Sequence, residues 1–279
     1  MRAKGSFAII VPKMVPVHQN AGPLGPGPDA RGISHGRPRV PPGSRVYAVG
    51  DIHGRSDLLW RLHRLIAADA ESAGGMRKVV VYVGDYVDRG PDSEGVIDML
   101  IEKPLEGFER RHLKGNHEDF MVEFMETGAH ADSWIMNGAR ATMESYGVDF
   151  HELTQGAPMV TADILLAARH EFVGLVPDSH KAFLAGLALH HVEGDYLFAH
   201  AGVRPGVPLA AQRAHDLMWI REEFLESDAD HGRVVVHGHT IRDRPVVRPN
   251  RIGIDTGAFR TDRLTALVLE DDARRFLTT

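Results

Sequence analysis

The chain has 279 residues, enough for one large domain or two modest ones, and its 25% charged and 43% hydrophobic content is ordinary for a soluble globular protein. A net charge of −6 speaks against nonspecific nucleic-acid binding, and no apolar run reaches the ~18 residues that a membrane span needs. Cysteine is absent, which excludes disulfides, thiolate metal sites and cysteine nucleophiles; any metal must be held by nitrogen and oxygen, and 17 histidines are at hand.

Residues 1–44 hold eight of the sixteen prolines with frequent glycine, and are expected to form a flexible lead-in. Within them FAIIV (7–11) is cut short by Pro12, too early for a typical signal-peptide core. A cytoplasmic location is the expectation. From residue 45 the pattern alternates. The apolar, β-branched run 46–49 predicts a buried strand, followed by a helix over 56–72 with Leu58, Leu59, Leu62, Leu65 and Ile66 on one face. Ser56 or Asp57 is its expected N-cap and Gly74-Gly75 its stop. A second strand (78–83), a helix (92–103) and a third strand (108–113) complete a βαβαβ rhythm that implies a parallel sheet. Residues 119–190 read as mostly helical. Strands return at 196–199, 233–236 and in RIGI and RLTALVLE, interrupted by a helix over 214–227.

Polar residues recur where these strands end. The first strand is followed by Asp51 and His53, the second by Asp85, Asp88 and Arg89, the third by Asn116 and His117. Later strands deliver His200, His237 and His239, and nearly every group is flanked by glycine. In open α/β sheets ligands bind at the carboxyl edge, where glycine lets backbone approach a bound group. Carboxylate, imidazole and amide donors without sulfur suit Mn, Fe, Zn or a similar divalent ion. They exceed what one four-coordinate site needs. Two ions sharing a carboxylate, roughly 3.5–4 Å apart, would use them all, and such pairs hydrolyse esters by activating a water while clamping phosphoryl oxygens.

GDIHG (50–54), GDYVDRG (84–90), GNHE (115–118), HAG (200–202) and GHT (238–240) resemble, in order, the signature of the phosphoprotein phosphatase family, a branch of the calcineurin-like metallophosphoesterases. The last two blocks are more similar to the shorter bacterial serine/threonine phosphatase-like members. The resemblance covers about 45–270. It implies an α/β fold, a sandwich of two mixed β-sheets flanked by helices, with 45–279 as catalytic domain and 119–190 as a helical specificity region. It also implies two divalent metal ions, Mn2+ first and Fe, Zn, Ni or Co as further candidates. By motif position Asp51 and His53 hold the first ion, Asp85 bridges, and Asn116, His200 and His239 hold the second. His117 is the implied general acid, and Asp88 the group that orients it and raises its pKa. Arg89 and Arg221, with Asn116, are the implied phosphate-binding residues.

Two departures stand out. GIDTGA (253–258) replaces the carboxyl-terminal segment of eukaryotic members, and Ile241 stands where many metallophosphoesterases have a further histidine after GHT. Simpler roles compete at several positions. His237, one residue from His239, should face away and be structural. Arg221 could be a solvated helix residue paired with Glu222, Glu223 or Glu226, Trp219 a core residue, and Asn137-Gly138 an ordinary turn. Two substrate classes fit the resemblance: phosphoserine, phosphothreonine or phosphotyrosine in proteins, or a dinucleotide as in symmetrical diadenosine tetraphosphatases. Those usually lack the Asp of DRG and read GNHD, so Asp88 and Glu118 favour phosphate monoesters. A scaffold with a dead site is a third reading, disfavoured because every residue the chemistry needs is retained. Nucleic acid and membrane partners are not expected, and the sequence leaves oligomeric state open.

Overall fold

The computed structural model describes residues 36–154 and 161–279. Most of the expected lead-in, including FAIIV, His18 and His35, lies outside the described residues. The first strand β1 (Ser44–Val49), helix α1 (Ser56–Ala70), β2 (Arg77–Tyr82), α2 (Ser93–Glu102) and β3 (Glu109–His112) form the βαβαβ start. Helices α3 (Asn116–Thr127), α4 (Ala131–Met136), α5 (Ala139–Ser145), α6 (Phe150–Thr154), α7 (Ala162–Leu175) and α8 (Asp178–Ala185) follow. The second half contains β4 (His190–Glu193), β5 (Tyr196–Ala199), α9 (Ala214–Trp219), α10 (Glu222–Leu225), β6 (Val234–His237), β7 (Val246–Val247), β8 (Arg251–Gly253), α11 (Ala258–Thr261), β9 (Thr265–Glu270) and β10 (Ala273–Thr278).

These strands make two five-stranded mixed sheets, ordered β10-β9-β1-β2-β3 and β4-β5-β6-β8-β7. The first sheet is parallel across β1, β2 and β3, and antiparallel where β9 joins β1 and β10 joins β9. In the second, β5, β6 and β8 run parallel, with β4 and β7 antiparallel at the edges. The continuous apolar runs arise because both faces of each central strand are covered. Val46, Ala48, Val79 and Val81 point between the sheets against Phe198, Val236 and Ile252, while Tyr47, Val49, Val80 and Tyr82 point to the helices. A third cluster joins Leu197, Ala199 and Val235 to Leu217, Ile220 and Phe224 beneath α9 and α10. The result is a sandwich of two mixed sheets flanked by helices. Each fully buried Val or Leu contributes about 1.5–3 kcal/mol, so this bilayer is a stiff platform for the turns at its edge. Val40 is also buried, the Arg39 N–H donates to the Asp195 carboxylate and the Arg39 carbonyl accepts from the Asp195 N–H, so the described residues just before β1 pack on the domain.

Four local expectations are corrected. Arg55, not Ser56 or Asp57, occupies the N-cap position of α1 and makes no side-chain cap hydrogen bond; the Ser56 hydroxyl goes to the Asp92 carboxylate and the Asp57 carboxylate to the Arg55 guanidinium at 2.8 Å. The helix ends at Ala70, ahead of the glycine pair, as Arg45 and Ser72 draw off the Asp69 carbonyl. Leu65 is 39% exposed: the buried arc runs from Leu58 toward His63 and Ala70, and Leu65 falls just past its edge. The helix expected over 214–227 is broken at Ile220 and Arg221, where ψ of 143° and −103° abandons helical geometry. Ile220 turns into the third core cluster, and that burial outweighs helix continuity. The break makes Arg221 a junction residue.

Candidate metal centre

The turns after the parallel strands converge as their position at the carboxyl edge requires. Backbone N–H groups of Ile52 and His53 donate to the Asp85 carbonyl at 3.0 and 2.9 Å, tying the turn after β1 to that after β2. Glu118, wholly buried, accepts from the N–H groups of Asp85, Tyr86 and Gly115 at 2.7–2.9 Å and so ties in the turn after β3. The approach is too close for a side chain on Gly84, whose Cβ would lie 2.6 Å from the Gly115 nitrogen, and whose φ of 105° only glycine adopts freely. Five of the eight described non-glycine residues with positive φ are His53, Asp85, Asp88, Arg89 and His239. Each such backbone costs about 1–3 kcal/mol and persists only where its surroundings impose it, a concentration typical of functional sites.

Hydrogen bonds fix which ring nitrogens face inward. A carbonyl only accepts, so His53 Nδ1–H donates to the Val87 carbonyl (2.8 Å) and His200 Nδ1–H to that of Val83 (3.0 Å). Each Nε2 therefore carries its lone pair into the centre. Asp85 Oδ2 lies 3.5 Å from His53 Nε2, 3.4 Å from His200 Nε2 and 3.9 Å from His117 Nε2. His200 Nε2 is also 3.0 Å from Asn116 Oδ1 and 3.2 Å from His239 Nδ1. Two donor groups result, His53–Asp85–His117 and Asp85–His200–His239, with the atoms of each within 4.8 Å of one another and Asp85 in both. Asp51 is in neither. Its Oδ2 accepts from the His239 N–H at 2.9 Å, and its buried Oδ1 has no partner.

Electrostatics make the centre uneasy without a cation. Burial, then Asp255 and Asp85, push the Asp51 carboxyl well above the usual carboxylate range. Burial pushes Asp255 up to about 6 and, with Asp85, Glu118 up to about 7. Burial also opposes ionisation of Asp85, but the imidazoles of His200 and His117 prevail and hold its carboxyl well below the usual range. Burial and His117 hold His53 well down, and burial and His200 hold His239 down to about 2. The imidazoles of His53 and His239, held neutral, an amide oxygen and buried carboxyl groups facing one another, with an orphaned Asp51 oxygen beside them, fit a divalent cation.

His117 is placed differently. Its Nδ1–H donates to Asp88 Oδ2 at 2.6 Å, and burial, which would depress its pKa, is outweighed by Asp85 and Asp88, so it is raised. The Arg89 guanidinium spans His53 Nε2 (3.1 Å) and His117 Nε2 (3.0 Å), with the Phe259 ring 5.0 Å away. Arg221 makes none of the pairs with Glu222, Glu223 or Glu226. Glu223 is held by Arg204, and Arg221 reaches the His239 carbonyl and Thr240 Oγ1 at 3.5 Å. Trp219 is partly buried and packs against the main core, edge-on to Phe120, with its ring 6.3 Å from that of His239, so it lies between the core and the centre. His237 turns away as expected, its Nδ1 on the Gly238 carbonyl. Asn137 bonds the Ser133 carbonyl, and Gly138 accepts from Arg89 N–H at 3.3 Å.

Asp255, Phe259, Trp134 and Thr142 were not singled out by sequence. Asp255 had a signal, since it follows the apolar strand β8 just as Asp51 follows β1. The other three lie in helices whose sequence carries no mark of the centre.

The calcineurin-like phosphoesterase family model matches residues 44–249. The chain is 28% identical over 232 residues to serine/threonine-protein phosphatase 2 of Escherichia coli, covering 79% of this chain and 90% of that protein. It is 24% identical over 241 residues to an asymmetrical bis(5'-nucleosyl)-tetraphosphatase of Oceanobacillus iheyensis, covering 80% and 87%. A crystal structure provisionally assigned as a diadenosine tetraphosphatase superposes with a TM-score of 0.53 at 22% identity, covering 87% of this chain and 98% of the other.

Proposed function

The chain belongs to the calcineurin-like phosphoesterase family, and from that premise we propose that it is a dinuclear metal-dependent phosphatase that hydrolyses phosphate monoesters of serine, threonine or tyrosine in proteins. The observation that carries the two-ion reading is Asp85 Oδ2, shared between two groups of inward-facing imidazoles. Asp51, His53 and Asp85 would hold one ion, and Asp85, Asn116, His200 and His239 the other. Two divalent ions, manganese by this proposal, supply Lewis acidity toward phosphoryl oxygens and lower the pKa of water.

The remaining roles belong to side chains. Arg89 holds phosphate oxygens in bidentate fashion, with Arg221 and the Asn116 amide as further donors. His117 gives the proton at its Nε2 to the leaving oxygen while Asp88, at Nδ1, orients the ring and stabilises the imidazolium. Residues 119–190 would wall the cleft and select substrate.

The dinucleotide reading is supported by the tetraphosphatase name of one relative group. Against it stands the buried His117–Asp88 pair. A phosphate leaving group departs without a proton, whereas a serine or threonine alkoxide needs one, and a fully buried acid–orienter pair is useful chiefly for the latter. The test is kcat/KM on phosphoserine, phosphothreonine and phosphotyrosine peptides beside diadenosine tetraphosphate, with manganese. Preference for the peptides supports the proposal, and preference for the dinucleotide rejects it.

A further inference from the structure

The helices after Asn116 do more than wall the cleft. Asp88 is completely buried, and each of its carboxylate oxygens is claimed from that helical region. Trp134 Nε1–H of α4 donates to Oδ2 at 2.7 Å, the same oxygen that receives His117 Nδ1–H. Thr142 of α5 donates its hydroxyl proton to Oδ1 at 2.6 Å and accepts the Asp88 backbone N–H at 2.7 Å. Ser93 Oγ stands 2.9 Å from Thr142 Oγ1 and also receives the Asp88 N–H, at 3.0 Å. The Asp88 backbone is left-handed, φ 73°, so Thr142 grips both ends of a strained residue. Trp134 is itself immobile: it is wholly buried between Phe124 of α3 and Phe172 of α7, with ring centroids at 5.0 and 5.9 Å.

A carboxylate with one free oxygen can rotate and let an imidazole drift; with both oxygens held it presents its remaining acceptor direction at a fixed angle. We infer that Trp134 and Thr142 are positioning residues that lock the Asp88 carboxylate, and through it aim His117 at the leaving oxygen. The helical region thereby takes part in leaving-group protonation. This rests on the phosphomonoesterase reading above, and deepens it.

The test uses the full chain loaded with manganese, and the variants Thr142→Val, Thr142→Ser and Trp134→Phe beside His117→Asn. Metal content and circular dichroism should match the parent. With 2,4-dinitrophenyl phosphate, whose leaving group needs no proton, Thr142→Val and Trp134→Phe should stay near parent rates. With phenyl phosphate they should lose about tenfold or more, a fraction of the range open to general acid catalysis. Thr142→Ser, which keeps the hydroxyl, should restore the phenyl phosphate rate. Independently of turnover, in the protein loaded with diamagnetic zinc instead of manganese, the far-downfield proton resonance of His117 Nδ1–H, identified by its loss in His117→Asn, should move or vanish in Thr142→Val and Trp134→Phe and persist in Thr142→Ser. Equal losses on both esters, a serine variant as impaired as the valine one, or an unmoved resonance would overturn the inference. A parent protein inactive on both esters would instead reject the phosphomonoesterase reading, while the resonance still decides the positioning role.

Discussion

The turns that follow β1, β2 and β3 and those that follow β5, β6 and β8 meet at one centre but are built differently. In the first set, Asp85, Glu118 and Asp88 each bind groups from neighbouring turns or helices, and four left-handed site residues, His53, Asp85, Asp88 and Arg89, are held there. In the second set, His200 and His239 are anchored mainly by single contacts, to the Val83 carbonyl and the Asp51 carboxylate, and Arg221 makes only 3.5 Å contacts. The first set contains Asp85, common to both donor groups, and the proposed proton donor and phosphate arginine; the second adds imidazoles on the far side. Damage to the first set should therefore cost more than equivalent damage to the second.

Asp85→Asn should have the largest effect. It removes charge from both donor groups at once, so metal content should fall and kcat/KM drop by more than the ~100-fold that losing a supporting partner costs a metal site. Unchanged metal content and rate would reject the bridging role. His117→Asn comes next. The loss should be on the order of 10²–10⁴-fold for phenyl phosphate and shrink toward none for 2,4-dinitrophenyl phosphate. Arg89→Ala should raise KM and lower kcat/KM about 10- to 100-fold, since hydrogen bonds to charged groups are worth about 1.5–3 kcal/mol. In the second set, Arg221→Ala should cost less than Arg89→Ala in the same assay; a larger loss would invert the comparison.

The smallest expected effect lies away from the centre and concerns stability. His112 stacks on Tyr82 at 5.1 Å, and burial, with Arg110, holds its pKa down to about 4. Unfolded, the ring titrates near ~6.5. The folded state therefore prefers the neutral ring: its contribution is complete above the unfolded pKa and is lost as pH falls from there toward the folded value. His112→Phe keeps the stacking and removes the proton site, so its Tm should fall less than the parent's between pH 7 and pH 4. His63, also held down to about 4 by burial, keeps part of the slope in both proteins.

The same asymmetry governs what could be read from the chain. The residues after β1 and β2 sit directly after apolar strands within glycine-rich blocks, so their grouping at one sheet edge was legible from Val46–Val49 and Val79–Val83, whereas β3 is polar and only the GNHE block marked Asn116 and His117. The parallel start of the first sheet followed from the strand pattern as well, whereas the pairing of two mixed sheets came from the family resemblance, and β4, β7 and β10 were not anticipated. What escaped was spatial. Trp134 and Thr142 reach Asp88 across 46 and 54 residues, and nothing in a helical pattern distinguishes an indole that packs from one that also donates. The break before Arg221 escaped because Ala214–Leu225 has helical periodicity throughout, and only burial of Ile220 against the second sheet interrupts it. Asp51 was legible as a candidate metal ligand at a strand end, but not that the His239 N–H would take one of its oxygens and leave the other bare.

The shared role of Asp85 is tested most directly by anomalous diffraction from crystals soaked in manganese. Two peaks about 3.5–4 Å apart, each in contact with the Asp85 carboxylate, are the predicted result. A single peak, or a pair of which one does not touch Asp85, would contradict it.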